Sequence, residues 1–243
     1  MAKKTKKRPG SSSGLTRLTK QKVIDGLSGP DGVRIRYAVP EEAGAVTELA
    51  KMADDDMETG HLEALAAGQC GTWLLDSLAG IDPAEPLVRA LSAGDLQPAA
   101  AALSLPLVAR DRDGQVVGAL LAVPSGRITS GIAQLPGSRQ QALLSMLKYA
   151  KIKAVAVRED ARGRGIGAAL LKRCVQVYWQ LDYMLLFGEF ATERDLGPYY
   201  TRQGFTVLGS GQAIDVGTLT GVPLQLFAGP GETFFYRWRG NFR

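Results

Sequence analysis

The chain has 243 residues, an apolar content of 45 % and a formal net charge of +5. No apolar run approaches the ~20 residues that span a bilayer. Residues 1–22 lack the apolar core of a secretory signal, and Cys70 and Cys174 are too few for a disulfide framework, so a cytoplasmic protein is expected.

In chain order, residues 1–28 read as a basic, disordered tail. Lys3, Lys4, Lys6, Lys7, Arg8, Arg17, Lys20 and Lys22 carry eight positive charges with no acid before residue 23, which leaves −3 for the rest of the chain. Pro9–Gly14 has linker composition. A short helix is expected somewhere in residues 15–29. The tail offers little to bury, and weak contact with nucleic acid is the most its charge implies.

Val33–Val39 alternates apolar and polar as a half-buried strand does. Pro40 opens a helix with Ala43, Val46, Leu49 and Ala50 on one face. Helical pattern then runs to about Ala102, with breaks at Gly60, near Gly80, and at Pro83 and Pro86. Leu105–Arg110 and Gln115–Val123 are expected strands, joined by the turn Asp111-Arg112-Asp113-Gly114, in which Asp caps and Gly takes positive φ. Ser138–Leu147 reads as a helix. Lys153–Val157 is a strand followed by a helix with Ile166, Leu170, Cys174 and Val177 on its apolar face, so Cys174 reads as core. Tyr183–Phe190 is a strand and Asp195–Gln203 a short helix. Phe205–Leu208, Ala213–Val216 and Phe234–Trp238 close the chain as strands.

Between the Lys153–Val157 strand and its helix lies Arg158-Glu159-Asp160-Ala161-Arg162-Gly163-Arg164-Gly165-Ile166-Gly167-Ala168. Alternate glycines entering a helix suit a diphosphate: the main chain can approach closely, and the first amides and the helix dipole point at the oxygens. Arg162 and Arg164 add charge. The Gly-x4-Gly-Lys-Ser/Thr loop is excluded, because no Lys-Ser or Lys-Thr follows these glycines. Gly163, Gly165 and Ala168 satisfy G-x-G-x-x-A, with Asp182 at a distance suited to a ribose. A dinucleotide domain normally follows that motif, whereas the 75 residues after Ala168 read mostly as strands. One His and two distant Cys give no zinc spacing, and no metal is expected. His61, in the helical stretch, reads as surface or pocket lining.

Arg162, Gly165 and Gly167 also fill Arg/Gln-x-x-Gly-x-Gly/Ala, and Tyr199-Tyr200-Thr201-Arg202-Gln203-Gly204-Phe205 fits a second motif, Phe-Tyr-x-x-x-Gly-Phe. In this order and interval the two resemble the acetyl-CoA site of the GNAT superfamily of N-acetyltransferases. The resemblance implies an α+β, three-layer fold: a mixed, mostly antiparallel sheet with helices on both faces and a splayed central strand. It makes residues 29–243 one domain with helical insertions at about 54–102 and 127–149, both near the acceptor side. It implies acetyl-CoA as co-substrate, held by Val155, Ala156 and Val157 on the strand, by Arg162, Gly163, Arg164, Gly165, Ile166, Gly167 and Ala168 in the loop, and by Tyr199. The amide of Val157 would meet the thioester carbonyl.

Tyr200 is the candidate general acid, since a phenol near pKa ~10 can protonate a thiolate near ~8.5. Some relatives carry a Glu early in the central strand, where this chain has Lys151-Ile152-Lys153. Glu189, an acid in an apolar strand, is the candidate base; an ion pair with a neighbouring Arg is the alternative. Glu193 stands where the family often has an Asn against the pantetheine arm. The expected reaction is direct attack on acetyl-CoA by a small-molecule primary amine, in a monomer or homodimer. A protein N-terminus or lysine as acceptor, or a non-catalytic CoA sensor, are the alternatives.

Overall fold

The computed structural model describes residues 17–53, 60–217, 221 and 223–240. Helix α1 (Lys20–Asp25) is capped by Thr19 and followed by the short strand β1 (Leu27–Ser28), which pairs with β2 (Arg34–Tyr37). Residues 17–28 therefore do not extend the tail. Leu18 and Val23 are buried in the core, and the amide and carbonyl of Leu18 are both bonded by the Gln180 side chain at 2.7 Å. Two apolar side chains suffice to anchor this segment; the Lys-rich run before it lies outside the described residues.

Helix α2 (Ala43–Ala53) follows, burying the four side chains its spacing predicts. The first insertion forms α3 (Gly60–Ala66), α4 (Thr72–Leu78), α5 (Ala84–Ala93) and α6 (Gln97–Ala102). Pro86 does not break the chain: it lies in the first turn of α5, where no intrahelical amide is needed. The expected breaks near Gly80 and at Pro83 separate α4 from α5, and further breaks fall around Gly68, Gly71 and Gly94, all at positive φ.

Strands β3 (Leu105–Arg110) and β4 (Val116–Pro124) form the expected hairpin. Asp111 accepts from the amides of Asp113 and Gln115, and Gly114 has φ 79°. The second insertion contains α7 (Gly126–Ala133), which the sequence pattern did not indicate, as well as α8 (Arg139–Met146). Then come β5 (Tyr149–Val157), α9 (Ile166–Gln180), β6 (Leu185–Ala191), α10 (Gly197–Arg202), β7 (Thr206–Val207), β8 (Ala213–Asp215), β9 (Gln225–Phe227) and β10 (Glu232–Trp238).

The main sheet has eight strands in the order β1-β2-β3-β4-β5-β6-β10-β7; β8 and β9 pair separately. All its neighbours are antiparallel except β5 and β6. One face is covered by α9, α1 and α4, through Leu170, Cys174, Leu74 and Val23 among others. The other is covered by α2 and α3 over β3–β5, and by α7, α8 and the β8–β9 pair over β6 and β10. The result is the mixed α+β three-layer fold.

Two features of β5 position the site. Its parallel pairing with β6 ends at Ile152↔Gly188, although both strands continue. Its register with β4 passes from Leu121↔Ala154 to Ala122↔Ile152, which leaves Lys153 as an extra residue. Such a bulge bends the strand and resets its pleat. Ala150 and Ile152 pack with the α9 layer before it, and Val155 and Val157 do so after it. Lys151, Lys153 and Ala154 consequently share the opposite face.

Candidate active site

Beyond Ile152 the β5 edge facing β6 is unpaired, and a cleft of about 170 Å³ opens between them. The Arg158 amide donates to the Val117 carbonyl on β4 at 2.9 Å. Amides alternate along a strand, so those of Val157 and Val155 point the other way, into the cleft. The carbonyl of Val157 lies on the same side and accepts from Arg162 Nε at 3.1 Å.

The loop then turns through residues 159–161 into α9. Gly163 (φ 75°) and Gly165 (φ 77°) take the left-handed conformation that other residues adopt at a cost of about 1–2 kcal/mol. The amides of residues 163–168 have no backbone acceptor among the described residues, as the first turn of a helix dictates. They form a cradle for an anion, reinforced by the dipole of a 15-residue helix. Arg164 is ion-paired to Asp31, which fixes it beside the loop. Gly167 is helical, but a Cβ there would lie 2.7 Å from the Tyr199 hydroxyl. Glycine at this position lets Tyr199 rest on the first turn of α9.

Tyr199 and Tyr200 belong to α10, which α9 and β10 flank. Tyr200 is 6 % exposed; its ring stacks on Phe235 with centroids 3.6 Å apart and lines the cleft. Burial raises its pKa above the usual phenol value, and Tyr199 is pushed up to about 12 by the same cause. Both phenols therefore remain donors at neutral pH.

Glu189 does line the cleft, but its carboxylate is already engaged. Oε1 accepts from Arg127 Nη1 at 2.7 Å and Oε2 from Lys151. The side chain is 5 % exposed, and the second insertion supplies one of its partners. The ion-pair alternative for Glu189 is thus the one the geometry presents. Arg127 also donates to the Phe227 carbonyl and lies over the Phe234 ring, 5.8 Å from its centroid. It ties α7 to β6, β9 and β10.

Other expected or considered residues fall outside the cleft. Asp182 lies past the far end of α9 and pairs with Arg239, so it cannot serve a ligand at the loop. Glu159 and Glu193 are exposed. Cys174 is fully buried in the core beneath α9, and burial raises its pKa.

A second cavity, of about 520 Å³, meets the cleft at Lys153, which lines both. Its walls come from the two insertions: His61 on α3, the α6 approach from Gly94 to Ala100, α7 from Ser125 to Ser130, and Met146. His61 is pocket lining, with Nδ1 3.4 Å from Ser104 Oγ.

Three groups were not evident in the sequence. Arg194 lines the cleft and donates to the Met52 and Ala53 carbonyls at the C-terminus of α2. A groove of about 820 Å³ beside Gly165 is lined by Arg17, Lys172, Arg202, Arg237 and Arg239. Lys151 and Lys153 line the cavity, and Lys153 lines the cleft as well. Two lysines in an otherwise apolar central strand were the available sign of that polar space.

Residues 104–207 match the family model described as an acetyltransferase (GNAT) domain. No curated protein sequence matches the chain. Among solved structures, an acetyltransferase of the GNAT family from Staphylococcus aureus aligns with 85 % of this chain and 99 % of its own at 12 % identity and TM-score 0.48. A ribosomal-protein-alanine N-acetyltransferase from Brucella melitensis aligns over 84 % and 99 % at 20 % identity and TM-score 0.44. A GNAT family N-acetyltransferase from Escherichia coli in complex with CoA aligns over 74 % and 72 % at 19 % identity and TM-score 0.41. The matched segment contains the splayed strand, the glycine loop and the Tyr199-Tyr200 helix, so these parts of the chain are similar to an acetyltransferase (GNAT) domain.

Proposed function

We propose that the chain transfers the acetyl group of acetyl-CoA to a primary amine of a small molecule by direct attack. The carrying observation is that Lys153 lines both the cleft and a second cavity walled by both insertions. A volume of about 520 Å³ falls in the size range of small-molecule sites.

In this reading the amides of residues 163–168, with Arg162 and Arg164, take the diphosphate. The cationic groove beside Gly165 takes the 3′-phosphate end. The pantetheine arm lies along Val155, Ala156 and Val157, adding the hydrogen bonds that β6 leaves unmade, with Tyr199 over the first turn of α9. The Val157 amide polarises the thioester carbonyl. It is a fixed donor and needs no reorganisation as charge develops. Tyr200 donates its proton to the departing thiolate as the C–S bond breaks, and the proton that the newly acylated nitrogen releases restores the phenol.

Glu189 becomes a positioning residue in place of the expected base. It orients Lys151 and Arg127, and these cations with Lys153 favour the neutral form of an incoming amine, since like charge disfavours an ammonium. The amine can then shed its proton to solvent before attack. Both cysteines are unpaired and buried, which suits a reducing cytoplasm.

The test is thiol release from acetyl-CoA across a panel of small primary amines. Amine-dependent release of CoA is expected with at least one class. Tight binding of acetyl-CoA without release for any amine, alongside acetylation of peptides, would overturn the reading.

A further inference from the structure

The cavity at Lys153 carries more positive charge than the one carboxylate paired with it offsets. Arg127, Lys151 and Lys153 all line it. Glu189 answers the first two with one negative charge. Lys153 has no ion pair and no hydrogen bond among the described residues, although it is half-buried. Glu189 lines the cleft rather than this cavity, and the acid that does line the cavity, Asp95, is exposed and accepts the Gln97 amide at 3.1 Å. The start of α7 also lines the cavity. Ser125 caps that helix through the Ile128 amide, and the amides of Gly126 and Arg127 have no backbone acceptor among the described residues.

A half-buried cation without a counter-charge is costly unless something supplies one. Here a lysine ammonium, two further cations held in place by Glu189, and the positive end of an eight-residue helix converge on one small space. Hydrogen bonds of this type, from cationic and amide donors to a carboxylate, are the strong ones.

We infer that the acceptor is an amine that also carries a carboxylate, and that Lys153 binds this carboxylate. The inference rests on the acetyltransferase reading above and adds the class of its substrate. The same contact explains the absence of an acid from the Lys151-Ile152-Lys153 stretch: a carboxylate of the protein there would neutralise the site that the substrate must occupy. With the substrate carboxylate on Lys153, its amine is brought to the mouth of the cleft where the thioester is placed.

The experiment compares amines that share one skeleton and differ only in a free carboxylate or its carboxamide, for α-, β- and γ-amino acids. CoA release is measured for the unaltered protein, Lys153→Gln and Lys153→Glu. Calorimetry of acetyl-CoA confirms that each variant retains its cofactor site. Expected results are a kcat/KM about tenfold or more higher for the acid than for the carboxamide, a collapse of that ratio in Lys153→Gln, mostly through KM, and its inversion in Lys153→Glu.

Equal use of acids and carboxamides by the unaltered protein, or a ratio unmoved in both variants, would overturn the proposal. If no amine releases CoA, calorimetry of the amino acids against the CoA-loaded protein decides separately. Binding of acids but not carboxamides, lost in Lys153→Gln, supports the anion site while the transfer reading fails. Absence of any such binding removes the site itself.

Discussion

The Tyr200 ring lies flat on Phe235 and parallel to Phe190, so packing fixes its direction. Tyr200→Phe preserves that packing and removes only the hydroxyl. It is expected to lower kcat about 10²-fold with little change in the affinity for acetyl-CoA, as steady-state kinetics and calorimetry will show. Because burial raises the pKa of Tyr200, the protonated donor persists above the ordinary phenol value of ~10. The acid therefore adds no alkaline limb to the kcat profile between pH 7 and ~10; a fall in kcat within that range that disappears in Tyr200→Phe would contradict the assignment.

Glu189→Gln separates its two possible roles. As the link between Arg127, which is 47 % exposed, and Lys151, 21 % exposed, its loss should cost about 1–2 kcal/mol of stability, less than a fully buried pair. The acid limb of the pH–rate profile should persist. Unchanged stability with the limb abolished would restore Glu189 as the base. The place of Tyr200 beside the cleft was legible in the sequence, because the motif that carries it is local. For Glu189 an ion pair with an Arg was one of two readings left open, but its partner was not legible, since Arg127 lies 62 residues away on a helix that the pattern did not reveal.

Among the elements, the loop before α9 and the bulge in β5 do most to make the site. Gly165→Ala forces a Cβ into left-handed backbone at φ 77° and should cost about 1–2 kcal/mol. The same change weakens acetyl-CoA binding measured by calorimetry, because the amides of the cradle shift with it. Unaltered affinity would mean that the loop is not the diphosphate site. The loop and α9 could be read directly, with apolar residues at helical spacing beginning immediately after the glycines. The bulge could not, since an extra residue exists only relative to the register of β4. Helix α7 was hidden by its composition: Gly126, Gly131 and the β-branched Ile128, Thr129 and Ile132 are poor helix formers. Ser125 capping and the burial of Ile128 and Ile132 override that preference.

For the molecule as a whole, the charge asymmetry was legible and the boundary of the tail was not. Composition showed a basic N-terminal run, but the burial of Leu18 and Val23 depends on a surface built by α9 and the sheet, far along the chain. Burying a side chain of this kind contributes about 1.5–3 kcal/mol. Deleting residues 1–28 should therefore lower the thermal midpoint by several degrees; an unchanged midpoint would show that α1 and β1 contribute nothing to the fold. Tyr178, Tyr183 and Tyr200 are all buried with raised pKa values. Their contribution to stability is fully present below the unfolded phenol value of ~10 and is lost as pH rises beyond it, because the unfolded chain ionises first. Urea midpoints should hold from pH 7 to 9 and fall at pH 11.

The whole account depends on coenzyme A lying along the splayed edge of β5 with its diphosphate on the amides of residues 163–168. A crystal structure of the complex with CoA tests this most directly. It should show the diphosphate within hydrogen-bond distance of those amides, the pantetheine arm between β5 and β6, and the sulfur beside Tyr200. Density for CoA elsewhere on the surface, or none at saturating concentration, would contradict it.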